Sequence, residues 1–158
     1  MDLRSEALET RGLAGALTMV AHQMTVAGSP DIDVRIEGTA RRLDAAHEHH
    51  LLRIGLEALT NALKHAGATR VDIVLRFNAD AIELRVSDDG RGIGDASIGT
   101  AGAHFGLQGI RERVDKLGGT VTLHSDPGQG TLLSVTVPTE SPSRSVAFPA
   151  LREIWPRS

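Results

Sequence analysis

One stretch of the chain carries polar side chains that could bind a metal together with a phosphate group. Glu57, Asn61 and either Lys64 or His65 are spaced so that one face of a helix would carry them all. A carboxamide oxygen can ligate Mg²⁺, which prefers hard oxygen donors, and the cationic side chains can balance phosphate charge. The same spacing also suits a solvated helix face, so the stripe alone leaves both interpretations open.

A second candidate lies at residues 88–93, directly after an apolar segment, where two aspartates precede two glycines. A carboxylate at the end of a strand can accept a hydrogen bond from a ligand amine, and glycine lets the backbone come close. A tight turn after a strand is the alternative, because Asp and Gly are common turn residues.

A third candidate is the glycine-containing segment 102–113. Glycines before a helix leave main-chain amides available, and the first turn of a helix can hold an anion. A flexible connection would explain the same glycines, so this segment is weak evidence by itself.

Hydrophobic patterning predicts the elements that must position these groups. Helices are predicted over 5–27, 45–65 and 107–117, and strands over 34–38, 70–77, 81–86, 120–124 and 131–137. Residues 89–106 are predicted to form a long loop. The pattern indicates an α/β (α+β) two-layer sandwich, with a mixed, mostly antiparallel sheet covered on one face by about three helices.

Length and composition bound the organisation of the chain. Its 158 residues fit one domain over 30–138, preceded by a connecting segment and helix at 1–29 and followed by a tail at 139–158. The net charge of −3 argues against a nucleic-acid partner bound by a broad basic surface. The chain has no cysteine and no apolar run near the ~18 residues of a membrane span, so we expect no membrane contact by this segment.

Taken in order, these segments resemble the sequence boxes of the Bergerat-type ATPase fold, which histidine kinases, anti-sigma-factor kinases, gyrases and heat-shock chaperones share. Residues 57–66 resemble its N box, 88–93 its first glycine box, 106–109 its second and 128–131 its closing Gly-Thr signature. The helix ending at 110–119 is similar to that of the nitrate-sensing and membrane-fluidity-sensing kinases. The resemblance covers about residues 30–138.

The resemblance implies roles for the N-box residues. Asn61 would ligate the Mg²⁺ that bridges the ATP phosphates, and Glu57 would position water near that metal or act as a base. Lys64 and His65 would lie near the phosphates or the ribose.

Further positions are implied to contact the nucleotide. Asp88 would accept a hydrogen bond from the adenine 6-amino group, which selects adenine. The other positions lie in the glycine boxes and the closing signature: Gly90, Gly92, Ile93, Gly106, Leu107, Gly109 and Thr131. In the family such glycines let the loop pass the base and form a lid hinge, and the threonine supports the aspartate.

The resemblance implies that this chain is the ATP·Mg-binding catalytic domain of a sensor histidine kinase. The domain would lie in the cytoplasm, whether the whole kinase is cytoplasmic or is anchored in a membrane. Its partners would be ATP, the dimerisation domain that carries the acceptor histidine, and indirectly a response regulator. His47 precedes an acidic residue, as an acceptor would, but lies fourteen positions before Asn61, about 20 Å along one helix. We therefore expect the chain alone not to phosphorylate itself, and we expect His47, His49 and His50 to be surface histidines.

Two other functions are considered. An anti-sigma-factor kinase, which phosphorylates a serine, shares the N box and first glycine box, but segment 111–119 favours the histidine kinase. An ATP-binding module without turnover is disfavoured because Glu57 and Asn61 are both present.

Overall fold

The structure is a computed structural model that describes residues 3–25, 30–91, 101–126 and 128–139. Its helices are α1 (Leu3–Met24), α2 (Ala45–Thr60), which continues into a π-helical turn (Asn61–His65), and α3 (Ala101–Lys116). Its strands are β1 (Asp31–Gly38), β2 (Arg70–Phe77), β3 (Ala81–Asp88), β4 (Thr120–Asp126) and β5 (Gly130–Pro138).

The five strands form one sheet in the order β1-β2-β3-β5-β4. β1 and β2 run parallel, whereas the β2–β3, β3–β5 and β4–β5 pairs are antiparallel. The parallel pair requires a crossover, which α2 supplies, while residues 78–80 join β2 to β3 directly as a hairpin. The expected mixed, mostly antiparallel sheet with three helices is confirmed.

The helices cover one face of the sheet, and an aliphatic core lies between the two layers. Residues alternate along β2, so that Val71, Ile73 and Leu75 are buried while the residues between them face outward. The core takes in residues of α1 as well as α2, among them Leu17 and Ile54. The division at residue 29 therefore separates sequence segments that share one core, and it stays a prediction.

Ion pairs cross the outward face of the sheet. Arg76 lies 2.9 Å from Glu37 on β1 and 3.3 Å from Glu83 on β3, and Arg85 pairs with Glu83 on the same strand. These groups are partly solvated, so this face needs no further layer to cover it.

α1 is interrupted at Gly12, whose φ of 76° and ψ of −176° are not helical. The stem of Arg42 crosses this point, and a Cβ on Gly12 would lie 3.0 Å from its Cδ. The predicted helix over 5–27 is thus confirmed as far as Met24 and changes direction at Gly12. Residues 26–27 lie outside the described residues.

The predicted loop over 89–106 is partly wrong, because α3 begins at Ala101. Because glycine lowers helix propensity, the sequence pattern did not predict this first turn of the helix. Burial of Ile110 and Val114 stabilises the second half of α3, and the helix extends from there toward its N-terminus. None of the helices in the described ranges is long and apolar enough to cross a membrane.

Candidate nucleotide-binding site

The end of α2 widens into a π-helical turn at the candidate N box. The N–H of Ala66 donates to the carbonyl of Asn61 over 3.0 Å, five residues back. Ala62 is buried and anchors the turn, whereas Asn61 and Glu57 are half-buried. Single π-helical turns recur at functional sites because they re-aim side chains.

Lys64 and His65 are both exposed near the end of this turn. Glu57 and Asn61 are half-buried, and Lys64 and His65 are exposed, so a ligand can reach all four side chains. Their use as one binding face stays a prediction. The sequence left open which cation shares the face of Asn61, and both remain available to an anion.

Asp88 ends β3 with a half-buried carboxylate. Its Oδ1 accepts a hydrogen bond from the N–H of Gly90 over 2.8 Å, and the N–H of Thr131 also donates to the carboxylate. Burial raises the pKa of Asp88, as does the nearby charge of Asp89, while the two N–H groups oppose the rise. A partly desolvated carboxylate of this kind suits a specific hydrogen bond to a ligand amine.

Asp89, the next residue, serves a different segment. Its carboxylate accepts hydrogen bonds from the N–H and hydroxyl of Thr69 and from the N–H of Arg70, at 2.8–3.0 Å. These bonds, led by that from the Arg70 main chain, lower the pKa of Asp89. The two adjacent carboxylates are thus separated, one holding the start of β2 and the other facing the candidate site.

Gly90 brings the first glycine box against the end of the N box. It is buried, and a Cβ there would lie 2.6 Å from both the Cβ and the carbonyl oxygen of Ala66. The N–H of Arg91 donates to that same carbonyl over 2.9 Å. The glycine is needed for close approach of protein to protein, and this approach sets Asn61 and Asp88 on neighbouring segments.

The closing Gly-Thr signature lies on the other side of Asp88. Thr131 faces Asp88 in the β3–β5 register, and its hydroxyl lies 3.0 Å from the hydroxyl of Ser125 on β4. Sequence reasoning missed Ser125. The signal that could have found it is the strand period, which places residues 125, 131 and 88 side by side once the strand order is known.

The second glycine box lies within α3. Leu107 is half-buried and lines a cleft of ≈ 480 Å³ between α3 and strands β4 and β5, together with Ile110, Val121, Leu123 and Leu133. Gly106 and Gly109 are helical, so their hinge role stays a prediction. Gly92 and Ile93 lie outside the described residues.

The protein oxygens at this site suit a metal ion that is held mainly by the phosphates of a bound compound. In the described part of the chain, no three His, Asp or Glu side chains are grouped as a metal site would need. Mg²⁺ is commonly held by one or two protein oxygens together with phosphates and water. The half-buried carboxamide of Asn61, with the Glu57 carboxylate one turn earlier, meets that requirement.

The histidines near the start of α2 differ from one another. His49 is exposed as predicted, but His47 and His50 are partly covered. The Nε2 of His47 lies 3.0 Å from the carbonyl of Pro138, and the Nδ1 of His50 lies 3.0 Å from the guanidinium of Arg113. Both rings contact other elements, which the helix pattern did not indicate.

Comparisons with known proteins agree with this arrangement. Residues 46–141 match the model of the histidine kinase-, DNA gyrase B- and HSP90-like ATPases. The chain is 32% identical to the sensor histidine kinase LiaS of Bacillus subtilis over 87% of its own length and 37% of that protein. It is 38% identical to the nitrate/nitrite sensor protein NarQ of Escherichia coli over 66% of its length and 18% of that protein.

A solved histidine kinase domain from Erythrobacter litoralis superposes with a TM-score of 0.64, at 24% identity, over 84% of this chain and 66% of that one. That likeness supports the fold alone. The chain spans well under half the length of the curated relatives named above. It belongs to the histidine kinase-, DNA gyrase B- and HSP90-like ATPase family, and it carries the ATPase domain found in sensor histidine kinases.

Proposed function

We propose that this domain binds ATP with Mg²⁺ beside the end of α2 and the end of β3 and presents the γ-phosphate to a histidine. That acceptor lies on a dimerisation domain of the same kinase, from which the phosphoryl group passes to a response regulator. The observation that carries the proposal is the packing of Gly90 on Ala66. It brings a candidate metal ligand and a candidate adenine acceptor onto adjoining segments.

At the base side, the carboxylate of Asp88 accepts a hydrogen bond from the adenine 6-amino group. The N–H groups of Gly90 and Thr131 hold its carboxylate in place before any ligand binds. Preorganisation of this kind lowers the cost of ordering the site on binding. Gly92 and Ile93 would complete the contact with the base.

At the phosphate side, Asn61 would hold the metal, and Glu57 would orient water beside it or accept a proton. Mg²⁺, when bound, neutralises part of the charge on the transferring phosphate. Lys64 and His65 face solvent at the end of the same turn, where they can contact the phosphates or the ribose. Leu107 and the glycines of α3 would close over the nucleotide.

The acceptor comes from outside the described residues. His47, which has the acidic neighbour expected of an acceptor, lies in the first turn of α2, at the opposite end from Asn61. Its Nδ1 lies 2.8 Å from Asp44 and its Nε2 lies 3.0 Å from the Pro138 carbonyl. The position of His47 and these contacts support an acceptor on a separate domain. The domain that we propose uses ATP, so we place its activity in the cytoplasm, where ATP is available.

The serine-kinase and non-hydrolysing alternatives receive no support from the relatives, which are described as sensor histidine kinases. The direct test is ATP binding by calorimetry, with and without Mg²⁺, for the chain and its Asp88→Asn and Asn61→Asp variants. We expect Asp88→Asn to weaken binding in both conditions and Asn61→Asp to change the dependence on Mg²⁺. Unaltered binding in both variants would contradict the assignment.

A second experiment tests the need for a separate acceptor. The chain incubated alone with γ-labelled ATP should yield no acid-labile phosphoprotein, because His47 lies at the far end of α2. An acid-labile product formed by this chain alone would show that it carries its own acceptor.

A further inference from the structure

Arg91 connects three segments that surround the candidate site. Its guanidinium Nη2 donates to the carbonyl of His65 over 2.6 Å, and its N–H donates to the carbonyl of Ala66 over 2.9 Å. Its own carbonyl accepts from the N–H of Gly128, in the turn between β4 and β5. One residue thus joins the N box, the first glycine box and the closing turn.

The side chain of Arg91 acts on the end of a helix. The last carbonyls of a helix lack partners within it, and a cation there both donates to them and interacts favourably with the helix dipole. The turn that Arg91 holds begins at Asn61, whose carbonyl accepts from Ala66. The guanidinium therefore stabilises the same turn that carries the candidate metal ligand.

We infer that Arg91 is a positioning residue that fixes Asn61 relative to Asp88, so that one nucleotide can engage both. This inference rests on the proposed function and adds a residue to it. The main-chain bond from Arg91 to Ala66 persists when the side chain is changed, so the base side stays formed. The side chain specifically orients the π-helical turn on the phosphate side.

Direct attraction between the Arg91 charge and the phosphates is the competing explanation. The two differ in the protein without nucleotide. A positioning residue orders the π-helical turn at all times, whereas a phosphate ligand leaves that turn unchanged until the nucleotide is present.

The test uses the full 158-residue chain with adenosine and with a non-hydrolysable ATP analogue, each with and without Mg²⁺. In Arg91→Ala we expect adenosine affinity within about twofold of wild type, and a loss of about tenfold in the affinity gained from Mg²⁺ with the analogue. Arg91→Lys should restore part of that gain, since Lys also donates to terminal helix carbonyls. Arg85→Ala, which removes an exposed arginine from the open face of the sheet, is the matched control and should behave as wild type.

Hydrogen exchange without nucleotide gives the second measurement. The amides of Ala66 and Ala68, which donate to Asn61 and Ala62, should exchange faster in Arg91→Ala and at the wild-type rate in Arg85→Ala. Equal losses for adenosine and the analogue, or unchanged exchange at both amides, would overturn the positioning role. If wild type binds neither compound, the proposed function fails and this inference fails with it; a wild type that binds while Arg91→Ala matches it overturns the inference alone.

Discussion

The backbone of Gly130 lies directly against the main-chain carbonyl of Asp88, so that a Cβ on Gly130 would collide with that oxygen. Gly130 also has a φ of +90°, a backbone conformation that L-residues with a side chain rarely adopt. Its neighbour Thr131 faces Asp88 in the β3–β5 ladder. The missing side chain at Gly130 therefore allows the start of β5 to lie close to the end of β3, the strand that carries the candidate adenine acceptor.

Gly130→Ala should lower the free energy of unfolding by more than about 2 kcal/mol, because backbone strain and the collision with Asp88 add together. Urea unfolding measures the loss. Gly128→Ala is the matched control in the same turn: its φ is +77°, but no described atom lies within 4 Å of a Cβ there. We expect the control to lose only about 1 kcal/mol, and equal losses in the two variants would contradict the role of the Asp88 contact.

Asp88→Asn should weaken ATP binding by about 10- to 100-fold, the range expected for losing a hydrogen bond to a charged group. The fold should persist, because the carboxamide oxygen can still accept from the N–H of Gly90. Calorimetric titration with ATP measures the change. Glu83→Gln, on the open face of the sheet, controls for the lost negative charge and should leave affinity unchanged.

Asp88 and Asp89 should affect stability with opposite dependence on pH. Burial raises the pKa of Asp88, so its contribution is present below the unfolded-state pKa and is lost as pH rises through the folded-state pKa. Hydrogen bonds, first that from Arg70, lower the pKa of Asp89, so its contribution is present above the unfolded-state pKa and is lost as pH falls through the folded-state pKa. Unfolding free energies should therefore be measured from acidic to neutral pH for wild type, Asp88→Asn and Asp89→Asn. Relative to wild type, Asp88→Asn should lose a contribution that is present at acidic pH, whereas Asp89→Asn should lose one that is present at neutral pH.

The contact between His50 and Arg113 should weaken on acidification. The pKa of His50 is lowered, first by burial and then by the charge of Arg113. Smaller contributions come from the charges of three other groups near His50, namely His49, Lys116 and His47. The contribution of neutral His50 to the free energy of unfolding is complete when the pH is above the pKa that His50 has in the unfolded chain. This contribution is lost as pH falls toward the pKa of His50 in the folded protein.

His50→Asn keeps an acceptor near Nδ1 that does not titrate, so the fall in unfolding free energy between neutral and mildly acidic pH should become smaller. Denaturant unfolding across that range measures it. A steeper slope in His50→Asn would contradict the prediction.

Glu48→Gln should lower the unfolding free energy by about 1–3 kcal/mol, because a charged hydrogen-bond acceptor is removed from a buried position. The carboxylate is 5% exposed and accepts from Arg42 at 2.9 and 3.1 Å and from the N–H of Leu43. Glu37→Gln is the control: its carboxylate is 32% exposed, so its pairs should contribute less than about 1 kcal/mol. Thermal unfolding of both variants under one buffer condition compares them.

The sequence by itself determined the elements and the four boxes. Alternation in β2 and β3 follows from one buried and one solvated face, and the buried stripe of α2 follows from the period of a helix. Both patterns are local, so they can be recognised along the chain. The boundaries that failed, such as the start of α3, lie where glycine weakens local preference and tertiary packing decides.

Only the tertiary structure decided which neighbours the site residues have. It separated Asp88 from Asp89, placed Gly90 against Ala66, and brought Ser125 beside Thr131. These pairs join residues on different strands and helices, and their contacts depend on strand order and register. A local pattern carries no information on either, because the burial of side chains across the whole sheet selects them.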